Sequence, residues 1–166
     1  MPLLIREMQA EDWDAVQRIY SEGFKSNSML LQSEVLDWYN WDHTYLSKCR
    51  YVAFYQQELV GWLALTPYSL RREYFGVAET HVFVYPNTHY VKVGTALVQH
   101  LIPTSETAGI WTLQANVFTE NDPAIHLYTN LEFRVVGERQ QFVKYNGQWR
   151  NIVMLERRSK CVGIDC

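Results

Sequence analysis

Between Glu79 and Ile102 the chain reads ETHVFVYPNTHYVKVGTALVQHLI, a strand that runs through a polar turn into a helix. A loop that feeds several backbone N–H groups into a helix start can hold an anion, because those donors lack intrahelical partners and the helix dipole favours negative charge. Such units are common and most bind nothing, so the surrounding chain has to decide. Alternation sets Glu79 and His81 on one face of the strand, a carboxylate beside an imidazole whose ordinary pKa suits proton transfer. The five histidines and three cysteines (Cys49, Cys161, Cys166) show no metal-ligand spacing, and no metal site is expected.

The elements that must position these groups follow from periodicity. Thr80 to Tyr85 are mostly β-branched or aromatic, as a half-buried strand requires, and Pro86 and Asn87 end it. From Val93 the apolar residues Val93, Ala96, Leu97 and Leu101 recur at helical spacing, with Pro103 to Gly109 read as a connector. Upstream, Leu3 to Met8 reads as a first strand. QAEDWDAVQRIYSEGF then makes an amphipathic helix with acids at its start, and Lys25 to Gln32 is irregular. A second helix is expected from about Ser33 to before Arg50; its rings Trp38, Tyr39, Trp41 and Tyr45 either bury or wall a pocket. Tyr51 to Tyr55 and Leu59 to Leu65 form a hairpin, followed by the Arg- and Tyr-rich loop TPYSLRREYFG. Downstream come a strand from Trp111 to Phe118 and a short helix opened by Asn121–Asp122–Pro123, with Asp122 as cap. A last hairpin, Phe133 to Tyr145 and Trp149 to Leu155, turns on Asn146–Gly147, and a loose charged tail starts at Glu156.

This is one α/β domain with hairpins at both ends, spanning residues 1–156, with 157–166 as tail. At 166 residues and 48% hydrophobic content it is long enough for a sizeable core. A net charge of −3 without any Lys/Arg block argues against nucleic acid or an anionic membrane as partner. No apolar run reaches membrane-spanning length, and the start MPLLIREMQ lacks signal-peptide features, so a reducing, cytoplasmic setting is expected.

The order of elements resembles the GNAT superfamily of acyl-CoA-dependent N-acyltransferases, and most closely its phosphinothricin N-acetyltransferase-like branch. Matching residues are Glu79 before Val82–Phe83–Val84–Tyr85–Pro86, the helix start Asn121–Asp122–Pro123 with Leu127–Tyr128, and the hairpin Lys144–Tyr145–Asn146–Gly147–Gln148–Trp149. The resemblance runs from about Ile5 to Leu155 and implies a mixed, mostly antiparallel twisted sheet flanked by helices. One departure stands out. The family's diphosphate loop carries glycine where this chain has Lys92, in His89–Tyr90–Val91–Lys92–Val93–Gly94. If that backbone is left-handed, a side chain there costs about 1–2 kcal/mol, although Lys92 can itself pair a phosphate. A second departure is Glu132, where glycine commonly precedes Phe133.

The resemblance implies acetyl-CoA as co-substrate and direct attack by a small primary amine. Glu79 would be the general base, with His81 as a second base or a substrate contact, and Tyr128 the acid that protonates the leaving thiolate. A backbone N–H at Val82, Phe83 or Val84 would meet the developing oxyanion, and the same edge would pair with the pantetheine arm. His89, Tyr90, Val91, Lys92, Val93, Gly94 and Thr95 would hold the diphosphate, and Asn121 the cofactor arm. Arg71 and Tyr74 would contact an amino-acid-like substrate, while Trp38, Trp41 and Tyr74 would equally suit a more apolar amine. The rival reading, prompted by Lys92, is a catalytically silent binding or regulatory module of the same fold. Protein Nα-termini and polyamines are further acceptors to weigh, the latter requiring an acidic pocket. Many relatives are homodimers, and the hairpin at Asn146–Gly147 is a candidate contributor.

Overall fold

The computed structural model describes residues 2–25, 34–86 and 92–165. The expected irregular stretch before Ser33 therefore lies mostly outside the described residues, as do Asn87, His89, Tyr90, Val91 and Cys166. Seven strands form one sheet in the order β1-β2-β3-β4-β5-β7-β6. They are β1 Leu4–Glu7, β2 Tyr51–Tyr55, β3 Glu58–Pro67, β4 Val77–Val84, β5 Thr112–Phe118, β6 Arg134–Tyr145 and β7 Gln148–Arg158. The helices are α1 Trp13–Lys25, α2 Trp38–Thr44, α3 Val93–Thr107 and α4 Asp122–Asn130. Every neighbouring pair of strands is antiparallel except β4 and β5, which run parallel. The mixed, mostly antiparallel sheet is as expected.

Two cores lie on opposite faces of the sheet. On one, α3 and α4 cover Leu63, Leu65, Ala78, Leu113, Ala115 and Leu155. On the other, α1 and α2 cover Val52, Trp62, Ala64 and Phe83 with Val16, Ile19, Tyr20 and Trp41. The second core is aromatic: Trp62 and Phe83, paired across β3 and β4, stack at 4.4 Å and 12°. Edge-on contacts from Tyr20 and Trp41 complete that cluster.

Both hairpin turns are two residues long with left-handed backbone, at Gln56–Gln57 (φ 51° and 69°) and Asn146–Gly147 (φ 49° and 78°). That twist matches the flanking strands.

Four local expectations need correction. The second helix is far shorter than expected. The Asp37 carboxylate caps it by accepting from the Asn40 N–H at 2.9 Å, and Tyr45 is extended so that Leu46 N–H can bond Leu65 O. Its rings divide: Trp41 and Tyr45 are buried, whereas Trp38 and Tyr39 face solvent. The stretch from Pro103 is not a connector, since α3 continues through it to Thr107. Proline removes only the N–H that would meet Gln99 O, on an exposed position, and Thr104 Oγ1 donates to His100 O nearby. The helix then closes on Gly109 (φ 83°), with Gly109 N–H to Glu106 O and Ile110 N–H to Ser105 O. Helix α4 is capped by Asn121, whose side-chain oxygen accepts from Ala124 N–H, and not by Asp122.

Finally, β7 runs to Arg158, past the Glu156 at which a loose tail was expected. Ser159 is buried and donates to Glu106, and the Arg158 guanidinium is bonded to the carbonyls of Val162 and Gly163.

Candidate active site

The site is set by where β4 and β5 separate. Their ladder has three rungs, Val77↔Thr112, Ala78↔Leu113 and Glu79↔Gln114. Beyond Glu79 the strands diverge, so the β5-facing edge of β4 is left open. Which groups line that edge follows from the other side. Tyr85 N–H donates to Val60 O on β3, and in an antiparallel ladder a residue's N–H and C=O point the same way and alternate from one residue to the next. Phe83 therefore faces β3, while Val82 and Val84 turn their backbone groups into the opening. Of the three candidate backbone donors, Val82 and Val84 face the opening and Phe83 faces β3.

Helix α3 begins beside this opening. A Cβ on Gly94 would lie 3.1 Å from a Leu127 methyl and 3.7 Å from Val82 and Val84, so glycine lets the helix start pack between β4 and α4. The first intrahelical bond is Ala96 N–H to Lys92 O, which leaves the N–H groups of Val93, Gly94 and Thr95 without helical partners. Lys92 holds φ 50°, ψ 44°, the left-handed conformation that explains glycine as the family's choice. Its side chain is exposed, and the lysine does not plug the helix start. Glu132 repeats the pattern after α4, with φ 67°.

On the α1/α2 face, Glu79 and His81 stand side by side as alternation required. Glu79 Oε1 accepts from Asn116 Nδ2 on β5 at 3.0 Å. His81 Nε2 lies 2.8 Å from Thr66 Oγ1 on β3, with Tyr45 edge-on to the ring at 5.4 Å. Burial lowers the His81 pKa from its ordinary value, partly opposed by the Glu79 carboxylate, so the imidazole is neutral near pH 7.

Tyr128, on α4, is buried and packs against Phe133. Burial, and then the Glu79 charge, push its phenol above the usual tyrosine range, so it keeps its proton. Among the described residues its hydroxyl has no hydrogen-bond partner. The Glu79 charge thus acts on both His81 and Tyr128. Asn121 spends its carbonyl oxygen on the α4 cap, which leaves its NH₂ for a ligand.

Arg71 and Tyr74 are not drawn into this cluster. Both are exposed on the loop between β3 and β4, where Tyr74 packs edge-on to Tyr68 at 5.3 Å. The Arg71 guanidinium has no partner among the described residues. Asn116 was not anticipated: nothing local marks it, because its partner lies on a strand distant in sequence. Two surface depressions, of about 400 Å³ beside Leu4 and Phe54 and about 450 Å³ beside Lys48 and Thr104, lie apart from the opening.

An acyl-CoA arm fits these residues. The open β4 edge offers amide pairing as a strand would, and the α3 start offers three N–H groups without helical partners for a diphosphate. Comparison with known proteins agrees. A phosphinothricin N-acetyltransferase of Streptomyces viridochromogenes is 24% identical over 160 residues, covering 94% of this chain and 87% of that protein. Among solved structures, a phosphinothricin acetyltransferase of Sinorhizobium meliloti in complex with acetyl-CoA superposes with a TM-score of 0.84 at 18% identity, covering 95% of this chain and 89% of that one. A ribosomal-protein-alanine N-acetyltransferase of Brucella melitensis also gives 0.84, at 20% identity over 94% and 99% of the two chains. The model of the acetyltransferase (GNAT) family matches residues 13–133, and the chain therefore belongs to that family.

Proposed function

We propose that this N-acetyltransferase moves the acetyl group of acetyl-CoA to the primary amine of a small, amino-acid-like molecule, with Glu79 as base and Tyr128 as acid. The observation that carries the reading is Glu79 at the last rung before β4 and β5 diverge, with the protonated Tyr128 phenol within the influence of its charge. Acetyl-CoA supplies an activated acetyl thioester.

The chain's residues do the rest. An amine of pKa ~10.4 is neutral in about one molecule in 2,500 at pH 7, and Glu79 takes the proton that blocks attack. His81, neutral beside it, adds an uncharged contact that does not repel an ammonium. As the C–N bond forms and the C–S bond breaks, the Val82 or Val84 N–H meets the charge on the carbonyl oxygen. The Tyr128 hydroxyl gives its proton to the thiolate, and the second proton lost by the amine on becoming an amide balances it. Val93, Gly94 and Thr95, with Lys92 before them, hold the diphosphate, a role that the family resemblance extends to His89, Tyr90 and Val91 outside the described residues, and the Asn121 NH₂ holds the arm.

Arg71, whose guanidinium has no partner among the described residues, and Tyr74 are the contacts for the acceptor's carboxylate or phosphinate. The free thiols of Cys49 and Cys161 suit a cytoplasmic enzyme. Exposed Val135, Val136, Phe142 and Trp149 on the last hairpin support a homodimer.

The test is thiol release from acetyl-CoA with phosphinothricin, methionine sulfoximine and the common amino acids as acceptors. Turnover with at least one of them is expected. No acetyl-CoA binding at millimolar concentration by calorimetry would sink the enzyme reading, and binding without release for every acceptor would sink the substrate class.

A further inference from the structure

We propose that Asn116 is a positioning residue for the acetyl transfer, acting through the Glu79 carboxylate; this rests on Glu79 being the base. The two side chains meet where the strands part. The last rung between β4 and β5 is Glu79↔Gln114, and Asn116 lies two residues further along β5 on the same face. Its amide nevertheless reaches back, Nδ2 donating to Glu79 Oε1 at 3.0 Å. Among the described residues no other hydrogen bond reaches that carboxylate.

The residue type is itself informative. Asparagine is depleted in strands, and this one sits between Ala115 and Val117, opposite Met154 of β7. A β-branched residue would serve the sheet better at such a place. What the amide adds is a donor that does not titrate. It occupies Oε1, fixes the orientation of the carboxylate, and leaves Oε2 to meet the amine. His81 is tied in the opposite direction, to Thr66 on β3. Glu79 and His81 are thereby anchored one to each flanking strand, and of these two bonds the one from Glu79 crosses to β5.

A double-mutant cycle on thiol release tests this, run with whichever acceptor of the panel above gives the fastest turnover. Asn116→Ala should lower kcat about tenfold, the loss expected for a hydrogen bond to a charged group. The KM for acetyl-CoA should stay within about twofold. Asn116→Asp, similar in shape but without the donor, should lose at least as much, and Asn116→Gln, which keeps an amide, should recover part of the rate. In a Glu79→Gln background, Asn116→Ala should cost nothing further, because both changes disable one unit. Melting curves confirm folding; if Asn116→Ala is unfolded, the Asp and Gln variants carry the same comparison. Additive losses in the double variant overturn the proposal, as does full activity of Asn116→Ala where Glu79→Gln is impaired. An unimpaired Glu79→Gln would instead remove the base assignment, and the positioning role with it.

Discussion

Thr66 Oγ1 lies 2.8 Å from His81 Nε2, so the residue paired with Glu79 across β3 and β4 holds the imidazole two positions along. The ring is buried as well as bonded, and the balance of burial against the Glu79 charge lowers its pKa from 6.5. The folded chain therefore takes this proton less readily than the unfolded chain. The stability this group contributes is complete above about pH 6.5 and is lost as pH falls below that toward the folded value. Urea unfolding at about pH 7.5 and about pH 5.5 should show a smaller drop for His81→Asn than for the natural sequence. An equal drop in both would locate the pH dependence elsewhere.

Removing the base should be costly. Glu79→Gln keeps the size of the side chain and is expected to lower kcat by roughly 10²–10⁴-fold. Steady-state rates across pH provide the check; unchanged kinetics would assign proton removal to another group.

Tyr128→Phe separates chemistry from binding. The ring and its contact with Phe133 remain, so acetyl-CoA affinity by calorimetry should hold while kcat falls. A variant that binds the donor poorly but turns over normally once saturated would contradict the acid role.

Lys92→Gly should move two quantities in opposite directions. Relief of the left-handed backbone at φ 50° should add about 1 kcal/mol of stability, or about 2–4 °C in Tm. Loss of the ammonium should weaken acetyl-CoA about tenfold if it pairs a phosphate. Glu132→Gly, at φ 67°, should reproduce the stabilisation alone. Thermal melts and calorimetric titration measure both effects.

Most of the architecture was legible because its signals are local. Asn146–Gly147 specifies a tight turn, alternation specifies the face of Glu79 and His81, and the helical run from Val93 specifies α3. Errors arose where a local signal was overruled by context. Pro103 reads as a breaker, yet its missing donor falls on an exposed turn that tolerates the loss. The aromatic run after Ser33 reads as one long helix, but Asp37 starts it late and the bond from Leu46 to Leu65 pulls Tyr45 straight. Phe83 and Asn116 depended on something no local pattern contains, the direction of backbone groups and the register between distant strands.

The three-rung seam between β4 and β5 has a mechanical implication. The sheet is two panels, β1 to β4 and β5 to β6, stitched along one short margin and gaping beyond it. Amide hydrogens of Val82 and Val84 on that margin should exchange with solvent faster than those of Phe83, which are tied to β3. A pantetheine chain lying in the gap would extend the stitching, so the donor should slow that exchange and brace the panels against each other.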